Sequence, residues 1–323
     1  MIFDSSAWNR VAAMFCGDRL RRCLVFGACL LLLGAAQARP EPADLLDRLL
    51  EVREAILASG DSAGGDPADA AFITVWDFDG TILDGDCSEG LQRDGRTVYP
   101  GLAQLSIEHG LSGLYSDKGG FEAFWRDYTM LDERIGHWIA YPFILQMLHG
   151  ARADQVSDLA AHSFENLYRS HYFATSVNII RGLQAAGVEV HVISASAERF
   201  VRGAAATLDL EPERISGIRV IERDGRLTEQ LVYPVTWADG KRQHLQDILQ
   251  TRAGQQPDKP VFVIGGFGNS YNTDGPFLAW IARQSLPAGK PVAVMINGGT
   301  SPEEYSGLFT EIELKALVTP AVD

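Results

Sequence analysis

"TVWDFDGTILDGD", residues 74–86, sets two carboxylates, Asp77 and Asp79, two positions apart at the point where a run of strand-forming residues ends. Side chains along a strand alternate, so this spacing puts both carboxylates on one face and Trp76 and Phe78 on the other. Two like charges that close repel unless a cation sits between them or one keeps its proton. The stretch therefore asks for a metal ion, a phosphate-handling site, or both.

Downstream, residues 83–176 offer helical runs such as "FEAFWRDYTMLDERIGHWIAYPFILQML" and no convincing β alternation, with 13 aromatic residues among them. From residue 177 helices and strands alternate: "SVNIIRGLQAAG", "VEVHVIS", "ERFVRGAAATL", "KRQHLQDILQ", "PVFVIGG", "GPFLAWIARQ" and "PVAVMIN", with a hairpin marked by Asp224-Gly225. This pattern predicts an α/β fold, a Rossmann-like parallel sheet flanked by helices, formed by residues 71–82 and 177–323 and interrupted by an inserted helical cap, 83–176. Upstream, residues 39–70 hold an amphipathic helix, "PADLLDRLLEVREAILASG", and a Gly- and Asp-rich linker.

The first 38 residues read as an export signal: a basic start, a 14-residue apolar run from Cys23 to Ala36, and a small-x-small ending at Ala36 and Ala38. The run falls short of the ~20 residues that span a bilayer, so a retained anchor is the weaker reading and a periplasmic or secreted protein is expected. Met14 offers an alternative start. Removing four Arg and two Asp with this segment, from 28 basic and 42 acidic residues, leaves a net charge of −16. That field argues against nucleic-acid partners and for a small-molecule substrate. Three of the four cysteines leave with the signal, so Cys87 has no intrachain disulfide partner.

Four chemistry-bearing segments fall at strand or helix ends: "DFDGT" (77–81), "ISAS" (193–196), "DGK" (239–241) and "GNSYNTD" (268–274). Ligands of open α/β sheets sit at the carboxyl ends of the strands. In order and placement the set resembles the haloacid dehalogenase superfamily of phosphotransfer enzymes over residues 71 to about 297. The resemblance implies that Asp77 is a nucleophile forming an aspartyl phosphate and that Asp79 protonates the leaving oxygen, then takes a proton from the hydrolytic water. It implies that Thr81, Ser194 and Lys241 hold the phosphoryl oxygens, and that Mg²⁺ is the cofactor, with Asp77, Asp79, Asn269 and Asp274 as its candidate ligands. Neutralising the charge between a carboxylate and an anionic ester is what the cation and the lysine would contribute.

The last loop departs from the family pattern, since Gly268 is followed by Asn269 where an Asp is usual. Its seven-residue spacing is similar to that of exported phosphorylcholine phosphatases rather than phosphoserine phosphatases. A small zwitterionic phosphomonoester of the phosphocholine, phosphoethanolamine or phosphoserine type is the substrate this implies. Trp125, Tyr128, Trp138 and Tyr141 are read first as core at helical spacing, and alternatively as faces for a cationic head. The other readings are an idle binding protein of the same fold, on account of Asn269, a phosphotransferase to an acceptor other than water, and a cysteine phosphatase built on "CSEGLQR", Cys87 to Arg93. Dehalogenation has no use for Asp79 as a proton shuttle.

Overall fold

The computed structural model describes residues 42, 44–59, 69–116 and 119–319. The expected signal segment and residues 60–68 of the expected linker lie outside them. Helix α1 (Asp44–Ser59) packs Leu45, Leu49 and Ile56 into the core. Strand β1 (Ala71–Trp76) follows, buried at all six positions, as a central strand covered on both faces must be.

The chain then makes the insertion. Strands β2 (Gly90–Arg93) and β3 (Arg96–Pro100) form an antiparallel hairpin. Helices α2 (Leu102–Glu108), α3 (Gly120–Arg134), α4 (His137–Gln146) and α5 (Ala153–Ser163) come next, and a π-helical turn at Phe164–Tyr168 leads to α6 (Ala174–Ala185). The hairpin corrects the expectation of a purely helical insertion. It turns on Asp94 and Gly95, both at positive φ (52° and 70°) as a two-residue loop between twisted strands requires. The insertion's outgoing and returning segments run side by side: Leu83 bridges Tyr172, Phe173 N–H donates to Ile82 O at 2.8 Å, and Ser176 Oγ donates to Thr81 O at 2.7 Å.

Strand β4 (Glu189–Ala197) then pairs with β1 in parallel. Short helices α7 (Glu198–Val201) and α8 (Ala205–Leu208) replace the single helix expected there, separated by a 3₁₀ turn. The hairpin β5 (Ile215–Arg223) and β6 (Arg226–Val232) turns at Asp224-Gly225, as the sequence predicts. Helix α9 (Asp239–Gln255), β7 (Val261–Gly268), α10 (Gly275–Ala282), β8 (Val292–Ile296) and β9 (Thr310–Ile312) complete the chain.

The seven-stranded sheet has the order β6-β5-β4-β1-β7-β8-β9, parallel except at β6. β1 sits in the middle, and the chain continues on one side through β4 and on the other through β7. A crevice opens at such a switch of direction, beyond the carboxyl end of β1. Trp76 stacks on Phe267 across β1 and β7, centroids 3.6 Å apart. The apolar cluster that contains Trp76 also takes in Phe78, Phe124 and Phe164, so the insertion packs directly onto the sheet layer.

Candidate active site

The carboxyl end of β1 delivers Asp77 and Asp79 into one cleft, of about 320 Å³, which Ser194, Ser196 and Asn269 also line. The glycine between Asp79 and Thr81 has two reasons to be there. Gly80 adopts φ 73°, and a Cβ on it would fall 1.9 Å from Asn269 Nδ2, so the bare backbone gives the Asn269 amide its place.

Asp77 is nearly fully buried and held on both oxygens: Lys241 Nζ donates to Oδ1 at 2.5 Å and Thr81 Oγ1 to Oδ2 at 2.8 Å. Lys241, with no exposed surface, also donates to Asp274 Oδ1 at 2.7 Å. It reaches this position from the first turn of α9, whose entry is tight. Ala238 takes a positive φ of 49°, and a Cβ on Gly240 would lie 1.7 Å from Val235 O. Asp274 is fully buried, and its Oδ2 accepts the backbone N–H groups of Asn269 (2.9 Å) and Ser270 (3.0 Å). Its oxygens are thus engaged with Lys241 and the loop backbone, and it does not line the cleft; Asn269 does.

Asp79 is held by a different set. Its Oδ1 accepts the Cys87 N–H at 2.7 Å, and its Oδ2 accepts the Ser196 hydroxyl at 2.7 Å, with Ser194 Oγ at 3.4 Å from the same atom. The neighbouring carboxylates thus have separate environments, one facing an ammonium and the other facing neutral donors. Burial and repulsion from Asp274 raise Asp77 to about 6, against the pull of Lys241 and Thr81. Burial and the charge of Asp86 hold Asp79 well above the ordinary carboxylate range, against the hydroxyl of Ser196. Burial alone would lower Lys241, but Asp274 and Asp77 outweigh it and the ammonium is stabilised. Carboxylates pushed apart by environment are suited to divided acid and nucleophile duties.

The insertion supplies a second acidic group to the cleft that the sequence reading did not assign. Asp86 Oδ1 accepts the backbone N–H groups of Ser88 (2.7 Å) and Glu89 (2.8 Å), and Glu89 accepts the Tyr128 hydroxyl. Burial, then the charge of Asp86, lift Glu89 to about 7. Ser88 Oγ, buried among these groups, has no hydrogen-bond partner among the described residues. Asp86, Ser88, Glu89, His137 and Tyr141 all line the cleft, and no Arg or Lys is among the described residues that do. Asp86 stood within the opening stretch, but nothing in its spacing distinguishes a cleft carboxylate from a turn residue. Of the four aromatics singled out, Tyr128 is core and Tyr141 lines the cleft. Trp125 and Trp138 are neither, being 38% and 54% exposed.

The cysteine-nucleophile reading fails here. Cys87 is fully buried, and burial together with Asp79 and Asp86 drives its thiol up rather than down. Arg93, which would have cradled the phosphate, lies at the end of strand β2 and pairs with Asp84.

A buried carboxylate clasped by a lysine stands beside a second carboxylate held by neutral donors, at the switch point of a parallel sheet, an arrangement suited to nucleophilic and acid–base chemistry. A family model of haloacid dehalogenase-like hydrolases matches residues 74–278, more than half of the chain. The chain belongs to that family of hydrolases. A protein of unknown function from Bordetella pertussis Tohama I shares the fold, with a TM-score of 0.51 and 16% identity, over 71% of this chain and 92% of that one. A haloacid dehalogenase family hydrolase from Salmonella enterica serovar Typhi gives 0.45 at 16% identity, over 75% and 68%. A phosphoserine phosphatase in a phospho-aspartyl intermediate analogue form gives 0.40 at 14%, over 71% and 88%. No functionally curated protein matches the sequence.

Proposed function

We propose that the protein is an exported, Mg²⁺-dependent phosphomonoester hydrolase whose substrate is a small ester with a cationic, N–H-bearing leaving group, of the phosphoethanolamine kind. The observation that carries the substrate reading is the cleft lining: Asp86, Glu89 and the unpartnered hydroxyl of Ser88 lie in the same cleft as the Asp77 and Asp79 pair. Oxygen acceptors of this number suit an ammonium with hydrogens to donate. A quaternary ammonium has none and is better met by aromatic faces, of which Tyr141 is the one contributed by the four aromatics considered. The carboxylate of phosphoserine would enter a cleft with no Arg or Lys among the described residues that line it.

In the reaction, a carboxylate oxygen of Asp77 bonds to phosphorus as the ester P–O bond breaks, and Asp79 gives its proton to the departing oxygen. Water then attacks the phosphorus, loses a proton to Asp79, and frees Asp77 and inorganic phosphate. Lys241 and Thr81 hold the nucleophile, and Ser194, at the mouth of β4, is placed to meet a phosphoryl oxygen. The donor set fits Mg²⁺. It consists of hard oxygens from Asp77, the Asp79 carbonyl and the Asn269 amide, in a setting where Lys241 pairs with Asp77 and Asp274 while Asp79 and Asp86 stand close by with no cation among the described residues they contact. When bound, Mg²⁺ would offset charge on the phosphoryl group. Asp274, engaged by Lys241 and the loop amides, serves as the lysine's anchor.

Export rests on the amino-terminal sequence pattern; among the described residues no helix is long and apolar enough to cross a membrane. The test is a phosphomonoester panel run with and without chelator, beside Asp77→Asn. Phosphoethanolamine should be turned over well above phosphocholine, phosphoserine and sugar phosphates, with loss in chelator and in the variant. Equal rates across the panel remove the substrate reading, and activity that survives Asp77→Asn removes the mechanism.

A further inference from the structure

We propose that Ser196 is a positioning residue that fixes the carboxyl group of Asp79 in the orientation that proton transfer requires. This rests on the reading of Asp79 as the acid of phosphoryl transfer. Ser194 and Ser196 fall two apart near the end of β4, and both hydroxyls reach the same oxygen of Asp79, Oδ2. The hydroxyl of Ser196 donates to Asp79 Oδ2 at 2.7 Å, while its own N–H donates to Ser194 Oγ at 3.0 Å. The Cys87 amide holds the other oxygen, Oδ1, at 2.7 Å.

A carboxyl group bound at one oxygen can still rotate about its Cβ–Cγ bond. Asp79 is bound at both, by donors from two separate segments, the turn that opens the insertion and the end of β4. Removing the Ser196 hydroxyl leaves the amide of Cys87 on Oδ1 and, on Oδ2, the long contacts of Ser194 Oγ at 3.4 Å and Cys87 Sγ at 3.6 Å. Ser196 is itself buried, 8% exposed, so bulk water does not readily replace its hydrogen bond. It also lines the cleft, so its hydroxyl acts on the acid at the place where the leaving group must pass. Through the reaction it transfers nothing: the proton travels from Asp79 to the ester oxygen, and later from water back to Asp79.

The experiment compares Ser196→Ala on two esters, phosphoethanolamine, whose alkoxide must be protonated to leave, and 4-nitrophenyl phosphate, whose phenolate leaves without a proton. Turnover of the alkyl ester should fall about tenfold or more with KM within about twofold, while the aryl ester loses less than about threefold. Ser196→Thr, which keeps the hydroxyl, should keep the parental ratio of the two rates. Asp79→Asn is the control, expected to give the same split in larger form; a uniform loss there removes the acid reading of Asp79 itself. Where Asp79→Asn does split the esters, an equal loss on both in Ser196→Ala, or no loss on either, overturns the role of Ser196.

Discussion

Lys241 and Asp274 hold each other at 2.7 Å with neither side chain exposed to solvent. The pair sets the position of the ammonium over Asp77, so the last acid of the "GNSYNTD" loop acts on the nucleophile through the lysine. Removing one partner of a buried ion pair leaves the other without its countercharge. Asp274→Asn should therefore lower stability by about 3 kcal/mol. Asp77→Asn should cost less, because Asp77 holds only the Thr81 hydroxyl besides the lysine and burial already raises it to about 6, whereas Asp274 also anchors the backbone amides of Asn269 and Ser270. Denaturant midpoints of the two variants, measured with unchanged slopes, check the order. A midpoint for Asp274→Asn at or above that of Asp77→Asn would show that the lysine depends chiefly on Asp77.

Cys87 serves Asp79 through its backbone, since the N–H and not the thiol makes the 2.7 Å contact; the sulfur stands at 3.6 Å. Cys87→Ala keeps that N–H. Its turnover of phosphomonoesters should stay within about threefold of the parent, the residual change coming from a small cavity in the core. Steady-state kinetics decide this, and loss of activity comparable to Asp77→Asn would restore the thiol as nucleophile.

How much of this could be read in advance follows from which residues had local signals. β1 announced itself because a central parallel strand is apolar throughout and ends abruptly in charge. "DGK" and "ISAS" were legible because they fall at the ends of elements, the first turn of α9 and the last residues of β4, where an open α/β sheet presents its polar groups. The β2–β3 hairpin was not, although residues 93–96 and 223–226 are the same tetrapeptide, Arg-Asp-Gly-Arg. Around Asp224 the flanking strands join a sheet and β5 opens with four buried positions. Around Asp94 the strands lie mostly at the surface, with Tyr99 alone fully buried, so no apolar pattern marked them. Ser196 and Glu89 were illegible for another reason. Their neighbours in the cleft come from elements more than 30 residues away, and a serine or a glutamate carries no spacing that reveals such a contact.

Asn269 lines the cleft against Gly80, one residue from Asp79, at the position where the family pattern has an acid. As a neutral oxygen donor it should hold Mg²⁺ more weakly than a carboxylate. Asn269→Asp is expected to lower the Mg²⁺ concentration needed for half-maximal activity by about tenfold, a gain of one charge near the ion. A Mg²⁺ titration of activity at fixed substrate gives the answer, and an unchanged half-point would place Asn269 outside the ion's ligands.

Glu89 is lifted to about 7 by burial and by the charge of Asp86, with the Tyr128 hydroxyl only partly offsetting them. An unfolded chain releases this proton near the ordinary value of 4.5, whereas the folded protein keeps it to about 7. Between those values the folded state binds more protons than the unfolded one, so this residue lowers stability as pH rises from 5 to 7. Glu89→Gln stays neutral in both states and loses that part of the slope. At pH 7, in chelator and without substrate, the variant should be more stable than the parent by on the order of 2 kcal/mol, the two converging as pH falls toward 4.5. The same substitution should cost turnover of phosphoethanolamine, because the carboxylate that burdens the free protein is the one a bound ammonium would neutralise. Thermal melts across pH 4.5–7.5 measure the first effect; superimposable curves would mean that Glu89 ionises in the fold as easily as in water.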